Sequence, residues 1–269
     1  MYLHRFAALH VPEAAVTDFA MVADSVARSL RGPLLLGSEV TAVTVAGSSV
    51  ALDTKAGRIE ARTIVNCAGL HADRVARLAG VRLDLRIVPF RGEYYRLTRE
   101  AKELVRGLIY PVPDPRFPFL GVHFTRKLDG SVEVGPNAVL ALAREHYRGS
   151  APSPRDLLET VAFPGFWQIV ARYWKTGTAE LWHSLRASSY ARLARSLVPN
   201  LGLKDLEKGG AGVRAQAVTR QGQLLDDFHI EETARAVHVL NAPSPAATSS
   251  FAIADYIADA VERVSRAEK

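Results

Sequence analysis

The chain has 269 residues, 48% of them hydrophobic and 23% charged, enough for a substantial core in one large domain or two closely joined ones. Its formal net charge of +6 is scattered, without the like-charge runs or the aromatic-basic alternation of a nucleic-acid stripe; an anionic small substrate, or loose attraction to an acidic membrane surface, suits it better. A single cysteine, Cys67, excludes an intramolecular disulfide and a cysteine-rich metal site, and points to a reducing, cytoplasmic setting.

Residues 1–12 read as an extended or loop segment ending at Pro12, with no secretion signal expected. Thr17-Asp18 caps a predicted helix through Leu30, ended by Gly32-Pro33. Strands are predicted at Leu34–Leu36, Glu39–Val45, Val50–Thr54 and Arg58–Ala61, with turns at Gly47-Ser48 and Lys55-Ala56-Gly57. Thr63–Cys67 is mostly apolar, like a strand buried on both faces of a parallel sheet. It delivers Ala68-Gly69 to a helix over Ala72–Leu78, the kind of junction at which α/β sheets bind ligands.

From Val81 the pattern turns antiparallel. Short strands are predicted at Ile87–Pro89, Gly92–Leu97, Gly107–Val112, Phe119–Thr125 and Ser131–Gly135. Helices follow over Pro154–Thr160, Gly165–Thr176 and Ala179–Leu197, with Trp167, Trp174 and Trp182 as packing anchors. Gly209–Gln216 opens a strand-and-turn region, and Gln221–Ile230 with Ala236–Leu240 forms a hairpin around Glu231-Glu232. Asn241–Thr248 then links that last strand to an amphipathic helix. Ser244 is the expected N-cap and Pro245 fits the first turn; Ala246 and Ala247 let a flat group lie against an anion-favouring helix start. The helix is expected to face inward through Phe251, Ala254, Ala258 and Val261, with Ile253 and Ile257 beside them.

The eight histidines form no metal-ligand spacing, and no G-x-S-x-G nucleophile elbow occurs. Gly210–Ala215 matches G-x-G-x-x-A, but Leu203–Lys208 before it is no buried strand, so the dinucleotide reading fails. Arg214, among small residues, offers a bidentate fork to a carboxylate or else a structural ion pair. His123 is a structural strand histidine or a general base at an alcohol. Arg91, Tyr94, Tyr95 and Tyr110 are further candidate pocket groups, and Cys67 reads as a small buried filler.

Several blocks together resemble the D-amino-acid-oxidase-like flavoproteins, and more closely the L-2-hydroxyglutarate oxidase/dehydrogenase family. They are residues 8–13 (ALHVPE), 64–80 (IVNCAGLHADRVARLAG), 87–95 (IVPFRGEYY), 107–125 (GLIYPVPDPRFPFLGVHFT), 134–141 (VGPNAVLA), 209–216 (GGAGVRAQ) and 241–248 (NAPSPAAT). The resemblance implies an α/β plus α+β protein. An incomplete FAD-binding Rossmann-like domain (1–80 and 201–269) would carry an inserted antiparallel-sheet substrate domain (81–200). It implies FAD as cofactor, no metal, and oxidation of L-2-hydroxyglutarate to 2-oxoglutarate. A small dicarboxylate would be the substrate, and oxygen or a quinone the electron acceptor. A related activity on an amino acid or glycerol phosphate stands as the alternative, as does an inactive module.

By the same resemblance Val40 meets the adenine, Ala68, Gly69, Leu70 and Gly212 lie near the cofactor, and Ser244, Pro245, Ala246, Ala247 and Thr248 face the isoalloxazine. His123, Arg214, Arg91 and Tyr110 are the catalytic and substrate-binding candidates. Such flavoproteins begin with a βαβ unit carrying G-x-G-x-x-G. Its absence here leads to the expectation of a C-terminal portion that alone holds little FAD and exposes apolar surface and a strand edge. A cytoplasmic location, at most peripheral to the inner face of a membrane, goes with it.

Overall fold

The computed structural model describes residues 8–112, 121–147, 151–243 and 246–266. In chain order the elements are α1 (Phe19–Ser29), β1 (Val40–Ala46), β2 (Ser49–Thr54), β3 (Gly57–Ala61), β4 (Ile64–Asn66), α2 (Ala72–Leu78) and β5 (Leu85–Leu97). There follow β6 (His123–Arg126), β7 (Val132–Gly135), β8 (Val139–Leu140), α3 (Pro154–Val161), α4 (Pro164–Leu185) and α5 (Ala187–Arg195). The last are β9 (Leu206–Thr219), β10 (His229–Glu232), β11 (Ala236–Asn241) and α6 (Ser250–Arg266). The fold is thus mixed, with helices and antiparallel sheets.

Strands β1, β2 and β3 form an antiparallel meander. A second sheet runs β10-β11-β4, in which β11 and β4 pair in parallel although most of the chain separates them. The largest sheet is built on β5, which pairs β7 and β8 on one edge and β9 along nearly its whole length on the other. Residues beyond 200 therefore supply a strand of the antiparallel sheet. Ile87 and Leu85 of β5 pack with Ala217 of β9 against Ala72, Ala76 and Leu240, which joins this sheet to the parallel pair.

Several expectations change. Leu34–Leu36 forms no strand and stays exposed, because three leucines without a partner edge gain nothing from being extended. Ile87–Pro89 and Gly92–Leu97 are one strand, since Gly92 serves a close approach and not a break. A Cβ there would lie 2.7 Å from Pro136 Cβ. Of Gly107–Val112, Ile109 makes a single bridge to Phe124. The first two residues of the strand predicted at Phe119–Thr125 lie outside the described residues, and β6 begins at His123. The helical region kinks at Tyr173 and breaks at Arg186, not at Gly177, and all three tryptophans are exposed, so none anchors a core. Glu231 and Glu232 sit in β10, and the hairpin turns at 233–235. In α6 the inward face is Ile257, Ala260, Val261 and Val264, whereas Phe251 is exposed. Helix α1, capped by the Asp18 carboxylate on Ala20 N–H as expected, buries none of its residues.

A buried charge network locks the sheets together. Asp73, in the first turn of α2, is fully buried beside the guanidinium of Arg144 from the loop before α3. Its carboxylate also accepts from Arg77 at 2.9 Å and from the Ile87 N–H of β5 at 3.3 Å. Arg144 donates to the Leu70 carbonyl as well, and its N–H donates to Asp156 at 2.8 Å. Asp156 and Glu159 of α3 in turn hold Arg74 of α2. Burial works to raise the Asp73 pKa, but Arg144 and Arg77 outweigh it and hold the carboxyl below its ordinary 3.8. Its stabilising contribution is therefore present above pH 3.8 and is lost as pH falls through the lower folded value. Asp73→Asn leaves buried Arg144 with only the more distant Glu159, at 3.5 Å, as an ion-pair partner and should cost about 3–5 kcal/mol in urea unfolding. A loss under about 1 kcal/mol would contradict this role.

Candidate functional site

β4 is a three-residue strand that ends in Asn66, and this side chain shapes the turn after it. Its Oδ1 accepts the Ala68 N–H at 3.2 Å, while its Nδ2 donates to the Ala72 carbonyl at 2.8 Å and to His238 Nδ1 at 3.0 Å. Both ends of the turn are thereby fixed to one amide. Gly69 takes φ +53, a left-handed conformation that glycine adopts at little cost, and a Cβ there would point into open space. At the end of β11, Asn241 acts alike: its Nδ2 donates to the carbonyls of Leu225 and Asp227 at 3.1 and 2.7 Å, and its Oδ1 accepts Ala217 N–H at 3.4 Å.

These two strand ends open onto one cavity of about 340 Å³. Cys67 and Gly69 line it from the first turn, Ala242, Ala246 and Ala247 from the second, and Ser250, Ile253 and Ile257 from α6. Ala215 of β9 and Val239, Leu240 and Asn241 of β11 complete it. The wall is made of small and aliphatic side chains, a lining suited to a flat, largely apolar group. Turns that are remote in sequence thus converge, as expected for Gly69, Ala246 and Ala247. Cys67 is exposed at the cavity wall and not a core filler, with its thiol pKa pushed up by partial burial.

The other cofactor candidates sit differently. Ala68 is exposed beside the turn, and Leu70 is buried with its carbonyl on Arg144. Val40 starts β1, Gly212 pairs with Gly92 inside β9, and Thr248 lies in the turn before α6; none of these lines the cavity. Ser244 and Pro245 lie outside the described residues.

Arg214 belongs to a strand, not a turn, and stands opposite Phe90 in the β5/β9 ladder. Successive strand residues face opposite sides, so Ala215 lines the cavity while Arg214 turns to the other face. There its charge acts on the Tyr94 phenol, whose pKa burial raises. Desolvation lowers the Arg214 pKa, although its side chain keeps contact with solvent, and it stays cationic at neutral pH. Tyr110, which also acts on Tyr94, stacks on His123 with ring centroids 4.5 Å apart. His123 Nδ1 donates to the Gly121 carbonyl at 3.1 Å, which leaves Nε2 as the ring's acceptor. Burial lowers the His123 pKa below 6.5, so the ring is neutral at pH 7.

Arg91 shares the Ala215 side of the sheet by register and bonds Glu93 at 2.6 Å. Its Nε is buried with no partner among the described residues, a donor that a carboxylate would satisfy. Asn66, Asn241, His238, Asp73 and Arg144 had no signal in the sequence, since their partners are far along the chain. Among the described residues no acidic, histidine or cysteine cluster suits a metal.

Residues 3–260 match the family model described as DAO, FAD dependent oxidoreductase. The chain is 48% identical over 256 residues to an L-2-hydroxyglutarate dehydrogenase of Indibacter alkaliphilus, covering 94% of this chain and 64% of that protein. It is 42% identical over 258 residues to the Escherichia coli protein of that name, covering 94% and 61%. With the mitochondrial one of Homo sapiens the identity is 39% over 282 residues, covering 97% and 61%. An FAD-bound, dithionite-reduced L-α-glycerophosphate oxidase from Mycoplasma pneumoniae shares the fold with a TM-score of 0.59 at 19% identity, over 84% of this chain and 50% of that one. The chain thus spans about three fifths of the length of the dehydrogenases it matches.

Asn66→Ala would strand the Ala68 N–H, the Ala72 carbonyl and His238 together. It should cost about 2–3 kcal/mol in equilibrium unfolding. An unchanged midpoint and slope would remove Asn66 from the turn's support.

Proposed function

Since the chain belongs to the FAD-dependent oxidoreductase family matched over residues 3–260, we propose that it is the substrate-side portion of an enzyme oxidising L-2-hydroxyglutarate to 2-oxoglutarate. The observation that carries this reading is the shared cavity of Gly69, Ala246 and Ala247 beside a sheet bearing Arg214, Tyr110 and His123. Residues 1–80 and the segment from β10 onward form the cofactor side in this reading, and the β5 sheet with its helices the substrate side. Strand β4 ends its sheet with Val65 exposed, and α1 buries nothing. Both features suit a partly represented Rossmann-like unit.

The small-residue wall fits an isoalloxazine ring, which when bound supplies a hydride acceptor. A dicarboxylate needs anchors at both ends. On the cavity side of the sheet the Nε of Arg91 offers one cationic donor, while Arg214 offers a bidentate fork from the opposite face, so the two do not clamp one ligand together. His123, with Nδ1 tied to Gly121, presents Nε2 to take the proton of the substrate hydroxyl. Tyr110 holds the ring's plane by stacking. Relatives called L-2-hydroxyglutarate dehydrogenases support this substrate over an amino acid or glycerol phosphate. Oxygen or a quinone would take the electrons.

The tests use this chain joined to the rest of a matched dehydrogenase. L-2-hydroxyglutarate should bleach the flavin absorbance; bleaching by an amino acid or glycerol phosphate alone would redirect the substrate, and a colourless protein would favour an inactive module. Arg214→Ala should raise KM roughly ten- to a hundredfold; unchanged kinetics would remove Arg214 from the site. The acid limb of kcat/KM should fall below pH 6.5, where His123 takes up a proton, and disappear in His123→Asn. A limb that persists in that variant belongs to another group.

A further inference from the structure

Glu93 of β5 is held from three sides. Its Oε1 accepts Nη1 of Arg91 at 2.6 Å. Its Oε2 accepts Nδ2 of Asn137 at 3.2 Å and the hydroxyl of Ser184 near the end of α4. The same Asn137 accepts the Glu93 N–H through Oδ1 at 2.7 Å, so one buried amide grips both backbone and side chain. Helix α4 secures that loop a second time, where Glu180 accepts the Ala138 N–H at 3.1 Å. Just past Glu93 the β5/β9 ladder shifts register, a bulge of the kind that re-aims a strand beside a site.

Residues two apart on a strand share a face, so Arg91 and Glu93 stand side by side, and Arg91 lies about 6.6 Å along β5 from Pro89. Pro89 pairs with Ala215 of the cavity wall. An exposed ion pair between mobile side chains contributes little. This one is different: the two side chains are only 22 and 27% exposed, and the carboxylate is already immobilised by Asn137 and Ser184. Taking Nη1 leaves the Nε side of the guanidinium, and that Nε is buried without a partner among the described residues.

We propose that Glu93 is a positioning residue, which holds Arg91 by Nη1 so that its Nε side receives a carboxylate of the substrate. That role presupposes the activity proposed above, oxidation of a 2-hydroxy dicarboxylate. Glu93 itself touches no substrate; it acts through Arg91, and Ser184 and Asn137 act through Glu93.

Steady-state kinetics and flavin content of this chain joined to the rest of a matched dehydrogenase test it. In Glu93→Gln the amide oxygen can keep Asn137 and Ser184, which turns the NH2 against Nη1 of Arg91. KM for L-2-hydroxyglutarate should rise roughly tenfold, with kcat within about twofold and flavin content unchanged. Arg91→Met should raise KM at least as much, and adding Glu93→Gln to it should change KM little further, since the two residues work as one unit. An unchanged KM in Glu93→Gln overturns the inference, as does a loss of kcat alone. So does a KM cost of Glu93→Gln that is equally large with and without Arg91. If the Gln variant fails to fold around flavin, Glu93→Asp keeps the charge but withdraws it from Arg91; KM should again rise several-fold, and an unchanged value overturns the inference equally. A flavin-loaded wild type that L-2-hydroxyglutarate does not reduce is a different failure, which removes the proposed activity and this role with it.

Discussion

A carboxylate sealed from water sets the arrangement of this chain. Asp73 is placed by α2, and Arg144 reaches it from a loop 71 residues away. Neither is tolerable alone in that environment, because a single buried charge costs far more than an apolar substitute would. Together they fix the start of α2, the carbonyl of Leu70 and the backbone of β5 in one register. The turn at Ala68-Gly69 is thus held from its far side by an ion pair and from its near side by Asn66. Its position relative to the antiparallel sheet follows from these contacts, and the cavity follows from that position.

The sheet then divides its labour by strand alternation. Along β9, Ala215 closes the cavity while its neighbour Arg214 serves the opposite face with Tyr94. A small residue beside a cationic one thus gives this strand an apolar side at the cavity and a charged side opposite. His123 is kept neutral by burial, and its Nδ1 is tied to the Gly121 carbonyl.

Much of this was legible where the signal is local. The apolar run into Ala68-Gly69 reads directly as strand, turn and helix, and α2 begins and ends where the spacing puts it. Asp18 caps α1 as a short polar side chain before an apolar helix should. The turn before α6 was read from small residues after a strand, and Ala246 and Ala247 do line the cavity. What failed was the inference of burial from residue type. Trp167, Trp174 and Trp182 look like core residues in composition, yet their helix offers the core a different side. Leu34–Leu36 had strand chemistry without a strand to pair with. The Asp73–Arg144 pair and the His238–Asn66 contact had no local pattern at all, since their partners meet through the fold alone.

The sole cysteine offers a direct reading of the central claim, because Cys67 lies on the cavity wall beside Gly69. Thiol labelling of the chain joined to the rest of a matched dehydrogenase can be followed with and without added FAD. If the convergent turns hold the flavin ring, FAD should slow the modification of Cys67 in proportion to occupancy. Labelling that proceeds at the same rate on a protein shown by its absorbance to carry flavin would place the ring elsewhere and contradict the account.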